Sequence, residues 1–261
     1  MLSQDKVCLA VDGTDIERTH AVARDFRSCT RTVMVGPMLL MTYGLPAVRS
    51  FSELGMSSII VDARLAGHQR EVWAGITAAA ALRTVRAITV QPYCGRHVLT
   101  MAAEAAANCP LLQQRDEPPL VLAHIPAIAY RPCDLEALGL RCRRKDYVLQ
   151  LIETCYDAGL SGAIVEQRDV RATRKLIRRI KKENQPFIVL AHAQRGVQDY
   201  RVATSEEDEK VPGITDVLNA GAHHALFSMT LASHDTEWTA DLITKELNDL
   251  REERRRRRRT D

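Results

Sequence analysis

The sequence lacks any apolar run near the roughly 18 residues that a membrane-spanning helix requires. Its first strand-like stretch, "KVCLAV", already begins at residue 6. A spanning segment is therefore not expected, nor is a signal or transit peptide ahead of the fold. A Cys-x-x-Cys pair is missing too. The seven cysteines (Cys8, Cys29, Cys94, Cys109, Cys133, Cys142 and Cys155) are odd in number and scattered. That pattern argues against structural zinc and against a disulfide framework. Free thiols in a reducing intracellular compartment fit better, cytoplasmic by default, with organelle and nucleus left open. Internal repeats are absent, and the one low-complexity stretch is a terminal run of arginines. No aromatic-interleaved basic motif occurs, so base-specific RNA recognition finds no support.

What is present is an alternation. Short apolar runs recur at 6–11, 31–36, 57–62, 85–91, 119–125, 162–166, 186–192 and 224–228. They are continuous and do not alternate with polar residues, as strands buried on both faces of a parallel sheet require. Amphipathic stretches lie between them, among them "DIERTHAVARDF", "HQREVWAGITAAAALR", "RHVLTMAAEAAA" and "KDYVLQLIETCYDAG". The last ends on Gly159, placed for a helix C-cap. Eight strands with intervening helices in 261 residues predict one closed (β/α)₈ TIM barrel over 1–250, followed by an arginine-rich tail over 251–261. Two long connections follow the fifth and seventh strands. They leave the carboxyl ends of strands, where such barrels keep their active sites.

Several segments together resemble the orotidine 5′-phosphate decarboxylase family. "CLAVDGTD" looks like its first strand, "VMVGPMLLMTYGLPAVRSF" like its second strand and helix, and "IIVDARLAGHQREV" stands where the family has Asp-x-Lys-x-x-Asp-Ile-Pro-Asn-Thr. "ITVQPYCGRHVLTMAAEAA", "LVLAHIPAIAY", "DAGLSGAIVEQ", "PFIVLAHAQRG" and "LNAGAHHALFSM" match the order and spacing of the later segments. The resemblance implies a ribose-binding carboxylate at Asp12 and a Lys-Asp-Lys-Asp array that stabilises a carbanion without any cofactor. Here the array reads Met34, Asp62, Arg64 and Gly67, and the ribose-contacting Thr becomes Glu71. Arg64 carries a charge but is effectively never deprotonated, so it is a poor proton donor. The fourth-strand His is Gln91, and the phosphate-gripping Gly-Arg pair is Ser228 and Met229. Gln198 and Arg201, in the loop after the seventh strand, remain within reach of an anion, beside an acidic "SEEDEK".

An array that acts as a unit does not survive several losses. The expectation is a catalytically degenerate relative, a pseudoenzyme serving as a structural or interaction subunit, in an RNA-containing or other large assembly. Asp62 and Arg64 read as a remnant ion pair, and Asp12 also suits a cap for the helix starting near Thr14 or Asp15. Two alternatives stand beside this reading. One is a divergent but genuine decarboxylase acting on orotidine 5′-phosphate. The other is a mouth retooled for another small ligand around His124, His192, Gln91 and Arg96. A metal site is not expected, because adjacent His223 and His224 point to opposite faces of a strand and His124 and His192 have no third ligand at suitable spacing.

The net charge of +3 is unevenly spread. "RCRRK" (141–145) carries four cations, and "RATRKLIRRIKK" (171–182) carries seven with no acid. In the second, Leu176, Ile177 and Ile180 pack inward, which leaves Arg174, Lys175, Arg178, Arg179, Lys181 and Lys182 as a contact surface. Arg254, Arg255, Arg256, Arg257, Arg258 and Arg259 form the tail. A polyanionic partner, RNA or an acidic protein surface, is the expectation for both. The resemblance adds a homodimer or a dimer with a paralogue, since the family dimerises through its barrel mouths.

Overall fold

The computed structural model describes residues 5–108, 117–125, 132–181, 185–193, 213–228 and 236–260. Eight parallel strands close in sequence order: β1 (Val7–Val11), β2 (Thr32–Val35), β3 (Ser58–Leu65), β4 (Val85–Val90), β5 (Leu120–His124), β6 (Gly162–Glu166), β7 (Ile188–Ala193) and β8 (His224–Ser228), with β8 returning to β1. Each predicted run supplies one strand. The outer layer comprises α1 (Ile16–Asp25), α2 (Pro37–Tyr43), α3 (Leu45–Glu53), α4 (Gln69–Ala80), α5 (Arg96–Ala107), α6 (Pro132–Ala137), α7 (Arg144–Asp157), α8 (Gln167–Ile180), α9 (Ile214–Asn219) and α10 (Thr236–Thr260).

Strand side chains alternate between barrel interior and helix layer, because successive Cβ atoms point to opposite faces. Val7, Leu9 and Val11 of β1 join the large cluster beneath the helices. Cys8 and Ala10 join Met34, Ile60, Ala87, Leu122, Ile164, Leu190 and Leu226 in a second, interior cluster. The interior is thus closed by one apolar plug, with no channel through it. The register irregularity at Ile59/Ile60 against Val85 and Ala87 shifts the interior parity on β4 to odd numbers. Counting two residues on from the plug, parity delivers Asp12, Asp62, Thr89, His124, Glu166, His192 and Ser228 to the carboxyl-terminal mouth.

Gly159 ends α7 as expected, one residue past the C-cap Ala158. Its φ is +86°, a conformation that favours glycine, and the Leu160 N–H closes back onto the Cys155 carbonyl at 3.1 Å. The arginine run departs from the picture of a separate tail, for α10 continues through it to Thr260. Ala240, Ile243, Leu247 and Leu250 are buried, whereas Arg251, Glu252 and Arg256 are exposed. Packing anchors the first four turns, and the remainder extends as polar helix at about 1.5 Å per residue. Among the described residues no helix is long and apolar enough to cross a membrane.

Candidate functional site

The centre of the mouth is Asp62, 1% exposed. Its Oδ1 accepts the Thr89 hydroxyl at 2.7 Å, and its Oδ2 accepts Arg64 Nε at 3.1 Å and Nη2 at 2.9 Å. The Arg64 backbone N–H donates to Thr89 Oγ1 at 2.9 Å, which closes a ring of three residues. Arg64 also has a φ of +46°, unusual for a residue with a Cβ and costing about 1–2 kcal/mol. The two bonds to Asp62 and the one to Thr89 offset that cost. β3 therefore runs three residues beyond the predicted end at Asp62, to a Leu65 that pairs with Val90.

His124 and His192 meet beside this ring, with centroids 6.3 Å apart at 71°. Burial pushes the His124 imidazole down to about 4, opposed by the Asp62 charge and aided by those of Arg64 and His192. His192 is lowered for the same first reason. Both rings are thus neutral at pH 7, each with one nitrogen able to donate and one able to accept a hydrogen bond. Among the described residues, His124 Nδ1 and Gln91 Oε1 are buried without a hydrogen-bond partner. No group of three or more His, Cys, Asp or Glu suited to a metal ion occurs among them.

A second charged network borders the mouth at the ends of β6 and α7. Arg144 grips Asp169 with both Nη atoms, at 3.1 and 2.5 Å, and reaches Glu166 Oε2 at 3.0 Å. Arg168 Nε holds the same Glu166 oxygen from outside. Both carboxylates are buried, and Arg144 is only 17% exposed. The reading of the sequence missed these three. A signal was present in Asp169, an acid on the stripe that places Thr173 and Leu176 inward in α8.

The remaining predicted residues are placed as follows. Asp12 does not cap α1. Its Oδ1 accepts the N–H groups of Gly13, Met38 and Leu39 at 3.1, 2.8 and 3.3 Å, so it caps α2 across the barrel rim, while Asp15 caps α1. Gly36 makes this possible, since a Cβ there would collide with the Asp12 carboxyl. Gly67 and Glu71 belong to the start of α4, where Glu71 Oε2 accepts the His68 N–H at 3.0 Å. Met34 is buried in the interior plug. Arg96 is exposed at the start of α5. His223 and His224 are structural, accepting the Val189 N–H at 2.8 Å and lying 2.7 Å from the Asp5 carbonyl, respectively.

On α8, Lys175, Arg178, Arg179 and Lys181 are exposed as expected. Arg174 is a correction, because it is half-buried at the amino-terminal end of the barrel with Nη1 3.0 Å from His223 Nε2. The α-helical stripe turns it toward α9 and β8 and away from solvent. Gln198, Arg201, Met229 and Lys182 lie outside the described residues, as do the side chains of Arg254, Arg255, Arg257, Arg258 and Arg259.

The fold and mouth define a (β/α)₈ barrel with a polar carboxyl-terminal rim over an apolar plug. No family model matches the chain. It is 25% identical over 213 residues to an orotidine 5′-phosphate decarboxylase of Syntrophus aciditrophicus, covering 78% of this chain and 81% of that one. A second such enzyme, from Idiomarina loihiensis, is 24% identical over 241 residues, covering 92% and 96%. Among solved structures, orotidine 5′-phosphate decarboxylase from Lactobacillus acidophilus superposes with a TM-score of 0.70 at 20% identity, covering 94% and 99% of the two chains. The Methanocaldococcus jannaschii enzyme, complexed with the inhibitor BMP, gives 0.66 at 14%, covering 93% and 98%. The chain shares the (β/α)₈ barrel fold of these orotidine 5′-phosphate decarboxylases.

Proposed function

We propose that the protein is a catalytically silent member of this group that serves as an interaction subunit. The observation that carries the reading is the state of the Asp62 pair. A decarboxylase of this type needs a cation free to deliver a proton to the developing carbanion. Here Arg64 folds back onto Asp62 with two nitrogens, and Met34, buried in the interior plug, holds the position where the family has a second ammonium. Both Asp62 oxygens already accept from this chain, Oδ1 from Thr89 and Oδ2 twice from Arg64. No cofactor is called for.

The exterior then carries the function. The cations of α8 and the arginine run favour a polyanionic partner, and self-association or pairing with a paralogue fits the barrel type. The test is calorimetric titration with uridine monophosphate and its 6-aza analogue at low salt, together with an assay for loss of orotidine 5′-phosphate. Silence at millimolar ligand supports the proposal. Micromolar binding with turnover overturns it in favour of a divergent decarboxylase.

A second reading rests on the buried, unpartnered His124 Nδ1 and Gln91 Oε1. Such atoms cost free energy unless something bonds them, and neutral imidazoles suit an uncharged, hydroxyl-bearing ligand. Binding of a nucleoside without its phosphate, lost in His124→Phe, supports this reading. Equal binding in that variant refutes it.

A further inference from the structure

Between α7 and α8 runs an external groove of about 560 Å³, on the opposite side of the helix layer from the barrel interior. Its rim carries Lys145 of α7 and Arg168, Arg171, Lys175 and Arg179 of α8, and its floor is Leu149, Ala172 and Leu176. The α8 cations are spaced three, four and four residues apart, so they form one stripe with a charge on each turn, about 5.4 Å apart along the axis. Among the described residues no carboxylate lines the groove. The acids nearest in sequence are already engaged. Glu166 and Asp169 turn inward to Arg144, and Asp146 is held by Arg143 at 2.7 and 3.2 Å. Arg171, Lys175 and Arg179 are therefore positive charge left over once Arg144 and Arg168 have met Glu166 and Asp169. Arg168 is anchored from behind by Glu166 while its side chain stays 59% exposed.

The lining also selects among polyanions. Proteins that hold single-stranded nucleic acid combine cations with aromatic platforms for the bases, and among the described residues no aromatic side chain lines this groove. A phosphate backbone gains nothing from a floor of two leucines and an alanine. A helix with acids on one edge and apolar side chains beside them uses both features, since its acids recur with the same turn spacing as the stripe.

We infer that the α7–α8 groove is a docking site for an acidic amphipathic helix of a partner protein. The inference rests on the interaction-subunit reading and names the partner class for it. The stripe steers the helix by charge, which makes association fall with salt. The apolar floor fixes its register.

The test uses the full chain and a labelled synthetic helix with glutamates four residues apart and leucines on the adjacent face, read by fluorescence anisotropy. The controls are a permuted peptide of equal composition and an oligonucleotide of equal charge. The variants are Arg171→Glu/Lys175→Glu, both at exposed positions, and glutamine in place of the arginines from 254 to 259. The expected result is binding of the designed helix, weakened about tenfold by the double reversal and by permutation, and unchanged by the glutamine variant. Tighter binding of the oligonucleotide, or equal binding of the permuted peptide, overturns the inference. Loss with the glutamine variant alone also overturns it, while leaving the interaction-subunit reading intact. That reading fails separately, through nucleotide binding and turnover in the mouth.

Discussion

Replacing Arg144 by methionine removes the cation that two buried carboxylates share. Arg144 makes three hydrogen bonds to Glu166 and Asp169. Arg168 still reaches Glu166 in the variant, so Asp169 is the acid left without its bidentate partner. Breaking a buried pair from one side costs about 3–5 kcal/mol, because a buried charge is left uncompensated. The retained Arg168 contact places the expected loss at the lower end, about 3 kcal/mol, which for a chain of this size lowers Tm by about 6–12 °C. Urea unfolding followed by far-UV circular dichroism and by the fluorescence of Trp73 and Trp238 measures it, with an unchanged m value marking a pure stability effect. The double variant Arg144→Met/Asp169→Leu swaps the pair for apolar contacts of similar volume and recovers most of the loss. A single-variant loss below about 1 kcal/mol, or a double variant no better than the single, refutes the view that this network holds the end of β6 to α7 and α8.

Acid lowers stability through the mouth histidines. His124 has a folded value of about 4 against an ordinary 6.5, so the unfolded chain binds more protons between those limits. Stability is then full above pH 6.5 and falls as pH drops toward 4, by about 3 kcal/mol for this group. His124→Gln flattens that part of the curve of urea midpoint against pH, and an unchanged slope contradicts the burial of the ring. In Gly162→Ala, the new Cβ meets the Ile188 carbonyl oxygen and lies 2.6 Å from Ile188 Cγ1, within a β6–β7 pairing that cannot open locally. A loss of about 2–4 kcal/mol in urea unfolding is expected, and a change within about 0.5 kcal/mol shows that the two strands yield.

The strands were legible because burial on both faces leaves only an apolar run, and each run from "KVCLAV" to "HALFS" became a strand within a residue or three of its bounds. The helix stop was legible where the signal is local, as at Gly159, whereas α1 is capped by Asp15 and not by the expected Asp12. What stayed hidden are groups whose partners lie far along the chain. Asp12 finds the N–H of Met38 twenty-six residues on, and Arg144 finds Asp169 across twenty-five. Local pattern gives the residue type at the rim but not the donor that will occupy it. Arg64 shows the same limit from the other side, for no propensity predicts a left-handed arginine in a strand. That conformation exists because Thr89 and Asp62 on two strands over-determine it.

These partnerships bear on function directly. Four acids at or near the rim, Asp12, Asp62, Glu166 and Asp169, each hold donors from their own chain. A carboxylate that acts on a ligand must keep an oxygen or an unbalanced charge facing it, whereas one already bonded to a guanidinium or to helix N–H groups contributes to stability instead. The Asp62 ring illustrates the exchange. Arg64 brings a long, forked donor that reaches back two residues along the same strand to Oδ2, and Thr89 donates to Oδ1. On the proposed reading the mouth charges serve stability through these pairs, while Arg171, Lys175 and Arg179 of α8 stay exposed on the outside of the barrel.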